Sequence, residues 1–176
     1  MVLKDGKRVA VVSGGNRGLG LASARRLAQL GFRVVLGARN AHKGEIAAEM
    51  LFAQGLEVLA CSSLDVTRED SVAQLGEFVR SRCGRVDVLI NNAGVLLDGN
   101  VEDGQGASVF SSSLDALRKT MEVNLYGPLR LAQELVPLMR QQNYGRVVNV
   151  SSGMGQLSEM GGRFPAYRMS KLHSMP

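Results

Sequence analysis

The sequence predicts an α/β fold: a doubly wound parallel sheet of about five strands, covered by helices. Three observations predict it. Short β-branched runs alternate with segments of helical periodicity along the 176 residues, the pattern of parallel strands joined by crossover helices. Alanine, leucine, valine and glycine carry the interior, with aromatic residues at 5% and no tryptophan, as in strands buried on both faces. No repeat or low-complexity linker interrupts the chain, so residues 1–176 read as one domain.

The elements follow in order. RVAVV (8–12) is the first strand. After a glycine-rich turn, Leu19, Ala22, Leu27 and Leu30 recur at helical spacing, and Gly31 ends that helix. RVVLG (33–37) is the second strand, 41–54 a helix closed by Gly55, and EVLACS (57–62) the third strand. Thr67 is placed to cap the next helix, with Asp70 as its capping-box partner and Val72, Leu75, Phe78 and Val79 as its apolar face. VDVLI (86–90) is the fourth strand, and the polar, glycine-rich stretch 97–113 is loop. Helical pattern resumes at Leu114 and runs to Gln141, with a break at Gly127-Pro128. RVVNV (146–150) is the fifth strand, followed by a loop rich in serine and glycine.

The charge and the rarer residues exclude some functions. The formal charge is +5, yet lysine and arginine are scattered, with no basic run and no interleaved aromatics for base stacking. The expectation is ordinary solvated charge and no nucleic-acid partner. No apolar run approaches membrane-spanning length, and MVLKDGKRVAVV has no apolar stretch ending in a cleavage site. A cytoplasmic location without a membrane partner is expected. Cys61 and Cys83 lack metal-like spacing and read as buried, inert thiols. His42 and His173 have no companions and read as surface residues, so no metal is expected.

Parallel sheets bind ligands at the carboxyl ends of their strands. After the first strand comes SGGNRGLG, where Gly14, Gly18 and Gly20 precede a helix. Glycine permits a tight turn and close approach, and the helix N-terminus offers N–H groups to a pyrophosphate. A nucleotide-triphosphate loop is excluded, because Leu21 and Ala22 stand where Lys and Ser/Thr are required. The second strand ends GARN. Ala38 occupies the place of the acid that binds adenosine ribose hydroxyls, and Arg39 follows it. Arg39 and Arg17, with no carboxylate between them, suit a 2′-phosphate. NADP(H) is therefore expected in preference to NAD(H).

Six motifs stand in order, each after its expected strand or within its expected helix: SGGNRGLG, LDV (64–66), NNAG (91–94), VN (123–124), VNVSS (148–152) and YRMSK (167–171). Together they resemble the short-chain dehydrogenase/reductase family, and within it NADPH-dependent carbonyl reductases. The resemblance covers essentially the whole chain and implies a Rossmann-like fold. It also implies hydride transfer between NADP(H) and a ketone, aldehyde or secondary alcohol.

The resemblance further assigns residues. Tyr167 matches the catalytic acid/base. A free phenol is a poor base at neutral pH, and an ammonium one helical turn away, Lys171, favours the phenolate. Ser152 aligns with the serine that hydrogen-bonds the substrate carbonyl, in preference to Ser151. Asn124 matches the asparagine that anchors a relay water. Cofactor binding falls to Ser13, Gly14, Asn16, Arg17, Gly18, Leu19 and Gly20 of the first turn, and to Arg39. Asp65 would bind the adenine amino group and Val66 its ring, while Asn91, Ala93 and Gly94 line the cleft. Tyr167 and Lys171 also meet the cofactor, the lysine at its nicotinamide ribose. Apart from the resemblance, the eight methionines read as packing residues, with Met154 and Met160, in the loop after strand five, placed where they could instead line a substrate pocket.

The same resemblance implies elements beyond the lysine that this sequence does not contain: a full helix, a sixth strand, a substrate loop and a last strand. The sequence therefore reads as incomplete at its carboxyl end, with strand five as an open edge. In a completed chain a homo-oligomer is expected. The alternative is a catalytically weak or inactive nucleotide-binding protein.

Overall fold

The alternation of strand and helix persists in the computed structural model, which describes residues 6–100 and 104–172. Strand β1 (Val9–Ser13) leads to helix α1 (Gly18–Gln29), then β2 (Arg33–Ala38), α2 (Ala41–Phe52), β3 (Val58–Ser63), α3 (Glu69–Arg82) and β4 (Val88–Asn91). A two-stranded hairpin, β5 (Gly99–Asn100) and β6 (Gln105–Gly106), follows. Helix α4 (Leu114–Met121) continues through a π turn (Glu122–Tyr126) into α5 (Gly127–Gln141). Strand β7 (Arg146–Asn149) and helix α6 (Pro165–Leu172) complete the described chain.

Five strands form one sheet in the order β3-β2-β1-β4-β7. β1 pairs in parallel with β2 and β4, and β2 with β3. The order reverses between β1 and β4, the point where such sheets open a crevice at their carboxyl ends. The chain divides into two compact units. One holds the amino-terminal residues through Ala93 together with Arg130–Val148; the other holds Gly94–Leu129 and the residues from Asn149 onward.

In the first unit, β1 and β2 are buried along their whole length. One face of the sheet packs on α1 and α2 through Ala24, Ala28, Ala47, Ala48 and Leu51. Truncating a fully buried leucine such as Leu51 to alanine costs roughly 2–5 kcal/mol. The buried face of α1 matches the expected one only in part, through Leu27, which packs against this core. Gly20, Ala24 and Ala28 face inward at i, i+4 and i+8, while Leu19 and Leu30 are exposed. Small residues let the helix lie close to the strands.

The expected cap of α3 is also corrected. Thr67 donates its backbone N–H and its hydroxyl to Asp65 Oδ1, at 3.0 and 2.7 Å, and so belongs to the turn before the helix. Arg68 occupies the capping position and Asp70 pairs with its guanidinium. Buried charges gather at the amino ends of the strands and are engaged there. Asp87 accepts from Val9 N at 2.7 Å and from both arms of Arg85, and Arg33 pairs with Glu57. Cys61 and Cys83 are both buried, as expected. His42 is exposed; His173 lies outside the described residues.

Two further expectations change. The stretch 97–113 holds the β5–β6 hairpin. The irregularity in the long helix is the π turn ending at Tyr126, and α5 starts at Gly127 without a break. Strand β7 is the sheet edge, with Val147 42% and Val148 45% exposed. No helix among the described residues is long and apolar enough to cross a membrane.

Candidate active site

In the first unit, the turn after β1 is fastened to the exit of β4. Ser13 Oγ accepts from the backbone N–H groups of Asn92 and Ala93, both at 3.1 Å, and donates to Ile90 O at 3.4 Å. Asn92 Nδ2 returns the contact, donating to Ser13 O at 3.0 Å and Gly14 O at 3.1 Å. The Ser13 hydroxyl is thus spent on holding the crevice. Asn92 was not among the residues expected to matter. The motif NNAG pointed to the place, but only the fold shows that the second amide reaches the glycine turn.

The glycines of that turn have separate causes. A Cβ on Gly20 would lie 2.4 Å from both Asn92 Nδ2 and Gly14 O, so close packing requires glycine there. Gly18 has φ of +54° and open space where a Cβ would point, so conformation requires it. Helix α1 then begins with no side-chain cap and no acid in its first turn. Its leading N–H groups and positive dipole end are left for an anion. Leu19, 61% exposed, stands in that turn, and Asn16 and the exposed Arg17 precede it. At the end of β2, Ala38 is buried and Arg39 exposed. These features fit an anionic group such as the pyrophosphate of a dinucleotide. Asp65 uses one carboxylate oxygen on Thr67, and Val66 is buried. Asn91 is buried at the end of β4.

The second unit gathers the four expected catalytic residues and also contains Gly94. Tyr167 and Lys171 lie one turn apart on α6. Lys171 is only 6% exposed, and its Nζ donates to Val150 O at 2.8 Å and stands 5.8 Å from the Tyr167 ring centre. Burial pushes its pKa below the ordinary lysine value. Asn124 sits in the π turn, a local form frequent at functional sites. Its Oδ1 accepts from Val95 N at 2.8 Å, and its Nδ2 donates to Val95 O and Ser170 Oγ, both at 2.9 Å. Both amide protons are therefore engaged, and the side chain acts as a bolt on α6.

The two serines after β7 separate by their bonds. Ser151 Oγ donates to Lys171 O at 3.2 Å. Ser152 Oγ accepts from Met154 N at 3.2 Å, capping a short 3₁₀ turn. This leaves the Ser152 O–H as a donor. The same 3₁₀ segment brings Gly155 against the backbone of Lys171, where a Cβ would fall 2.7 Å from the Lys171 carbonyl carbon. Met154 is half-buried and Met160 exposed. No group of three or more metal-ligating side chains occurs among the described residues.

Comparison with known proteins gives one consistent family. The profile of the short chain dehydrogenase family matches residues 8–173. A (+)-neomenthol dehydrogenase of Arabidopsis thaliana is 36% identical over 169 residues, covering 87% of this chain and 56% of the relative. The human carbonyl reductase [NADPH] 1 is 39% identical over 153 residues, covering 86% of this chain and 51% of the relative. Among solved structures, a metagenomic short-chain oxidoreductase in complex with NADP superposes with a TM-score of 0.82 at 33% identity, covering 95% of this chain and 71% of that one. An actinorhodin polyketide ketoreductase with NADPH gives 0.84 at 29% identity, covering 98% and 62%. The chain spans about half the length of the curated relatives it matches.

Proposed function

Because the chain belongs to the short chain dehydrogenase family, we propose that it is an NADP(H)-dependent oxidoreductase interconverting a ketone or aldehyde with the corresponding alcohol. The observation that carries this reading is Lys171, a lysine buried one helical turn from Tyr167. Burying an ammonium costs stability, and a surface pair on a helix would not require it. The uncapped, acid-free start of α1 supports a pyrophosphate site. Arg17 and Arg39, with Ala38 in place of an acid, support the 2′-phosphate. The NADPH and NADP named for a relative and a solved neighbour point the same way. The proposed setting is cytoplasmic, with a small carbonyl compound as substrate.

Reduced nicotinamide, when bound, supplies a hydride for the carbonyl carbon. The chain's own residues manage the oxygen. Ser152 donates its hydroxyl hydrogen bond to it, since Met154 N already occupies the acceptor side. Tyr167 transfers its phenolic proton to the same oxygen, completing the alcohol, and Lys171 stabilises the phenolate that remains. Asn124 holds the helix through Ser170. Its two amide protons are engaged, so a relay water would meet the side chain only through the second lone pair of Oδ1. Oxidation runs the same proton transfers in reverse.

Loss of NADPH absorbance with aldehydes and with aryl and cyclic ketones tests the reading on the purified protein. Turnover that Tyr167→Phe abolishes supports it. Tight NADPH binding with no turnover on any carbonyl compound would replace it with a nucleotide-binding role.

A further inference from the structure

We propose that Asp98 is a positioning residue for the Tyr167–Lys171 helix, acting on the backbone of its first turn; this rests on the catalytic reading above. Helix α6 starts at Pro165, and the N–H groups of its first turn need acceptors from elsewhere. Asp98 Oδ2 accepts from Ala166 N at 2.7 Å and, more weakly, from Tyr167 N at 3.4 Å. An ordinary cap comes from the residue just before the helix. Here a carboxylate 5% exposed arrives from 68 positions upstream of Ala166. A negative charge at this end is favoured by the helix dipole.

The hairpin beside Asp98 grips the residues that precede the helix. Phe164 N donates to Ala107 O at 3.0 Å, and Ala107 N donates to Asp98 O at 2.7 Å. Phe164 is buried with φ of +58°, a left-handed conformation that a bulky residue keeps only where its surroundings enforce it. Its ring fills the space above Gly99 and Gly106: a Cβ on either would fall 2.8 or 2.6 Å from ring atoms. Arg163 donates to the Gly104 carbonyl and bridges to Ser108.

Asp98 is also poorly suited to a purely stabilising role. Its Oδ1 is buried with no hydrogen-bond partner among the described residues, and an unsatisfied buried oxygen costs stability. A serine could accept the Ala166 N–H without burying a charge. What the Asp98 side chain adds is the reach of its acceptor oxygen, which fixes a reference point for the first turn and which an amide of the same shape also supplies. Tyr167 is the third residue of α6, so a displaced first turn displaces the phenol, and catalytic geometry tolerates little displacement.

Asp98→Ala, Asp98→Asn and the parent protein, each saturated with NADPH, decide the matter. Asp98→Ala is expected to lower kcat about tenfold or more with the NADPH Kd within about twofold, and Asp98→Asn, which keeps an acceptor oxygen in place, to recover kcat to within about threefold of the parent. Amide exchange at Ala166 and Tyr167 should speed up in Asp98→Ala and not in Asp98→Asn, a readout independent of turnover. The proposal is overturned if Asp98→Ala leaves kcat and exchange unchanged, if Asp98→Asn is as damaged as Asp98→Ala, or if kcat and cofactor affinity fall in the same proportion. Tyr167→Phe separates the two claims: turnover surviving that change sinks the catalytic reading, while the exchange rates still decide whether Asp98 holds the helix.

Discussion

The ammonium of Lys171 stands 5.8 Å from the centre of the Tyr167 ring and donates to the carbonyl of Val150. Burial, not a neighbouring charge, lowers its pKa. A cation denied full solvation interacts more strongly with an anion formed beside it.

Tyr167→Phe removes only the hydroxyl proposed as the acid. It should lower kcat by at least about 100-fold, the usual contribution of a placed acid/base, and leave NADPH affinity close to the parent's. Single-turnover measurements with saturating cofactor check this. A kcat near the parent's would transfer the proton chemistry to another group.

Lys171→Met should abolish turnover and raise the melting temperature near neutral pH. Between the folded and unfolded pKa values of Lys171 the unfolded chain binds more protons, so the parent's stability climbs as pH rises through that window. Below the folded value the full cost of the buried ammonium is present. The gain in Lys171→Met should therefore be largest there and shrink toward the ordinary lysine pKa of about 10.4. Melting curves across this range test it; a variant melting below the parent at every pH contradicts it.

Ser152→Ala and Ser151→Ala should separate activity from stability. Losing the Ser152 donor should cost about 100-fold in kcat, as for a single oxyanion donor. Losing the Ser151 bond to Lys171 O should cost roughly 1 kcal/mol of stability, with a much smaller effect on rate. Paired kinetics and denaturant titrations distinguish the two, and reversed effects would exchange the roles of the serines.

NADPH should bind at least about tenfold tighter than NADH, with the margin narrowing as salt screens the phosphate. Arg39→Asp should reverse the order. Equal parent affinities for the two cofactors would remove the 2′-phosphate from the reading.

The strands were legible because short β-branched runs between glycines leave few alternatives, and Tyr167 with Lys171 because a spacing of four is local. Where the sequence misled, the deciding contacts were weak in pattern or distant in sequence. Helix α1 buries glycine and alanine, which carry little periodic signal beside its leucines. Thr67 had a local competitor in Asp65, whose carboxylate captures it before it can cap α3. Strands of two residues, Gly99–Asn100 and Gln105–Gly106, are too short to show alternation. Asn92 and Asp98 act across 78 and 68 residues on Gly14 and Ala166, which no local pattern reveals.

The place of β7 has a kinetic consequence. Four of the five strands lie in the continuous segment ending at Ala93, whereas β7 and most of α5 join the same unit only after 94–129 has intervened. Closing so long a loop is entropically costly before its contacts form. During synthesis β3, β2, β1 and β4 can therefore pair first, with β4 as a temporary margin, and the bond from Arg146 N to Asp87 O is expected to form late. Changes in β7 should consequently speed unfolding more than they slow folding.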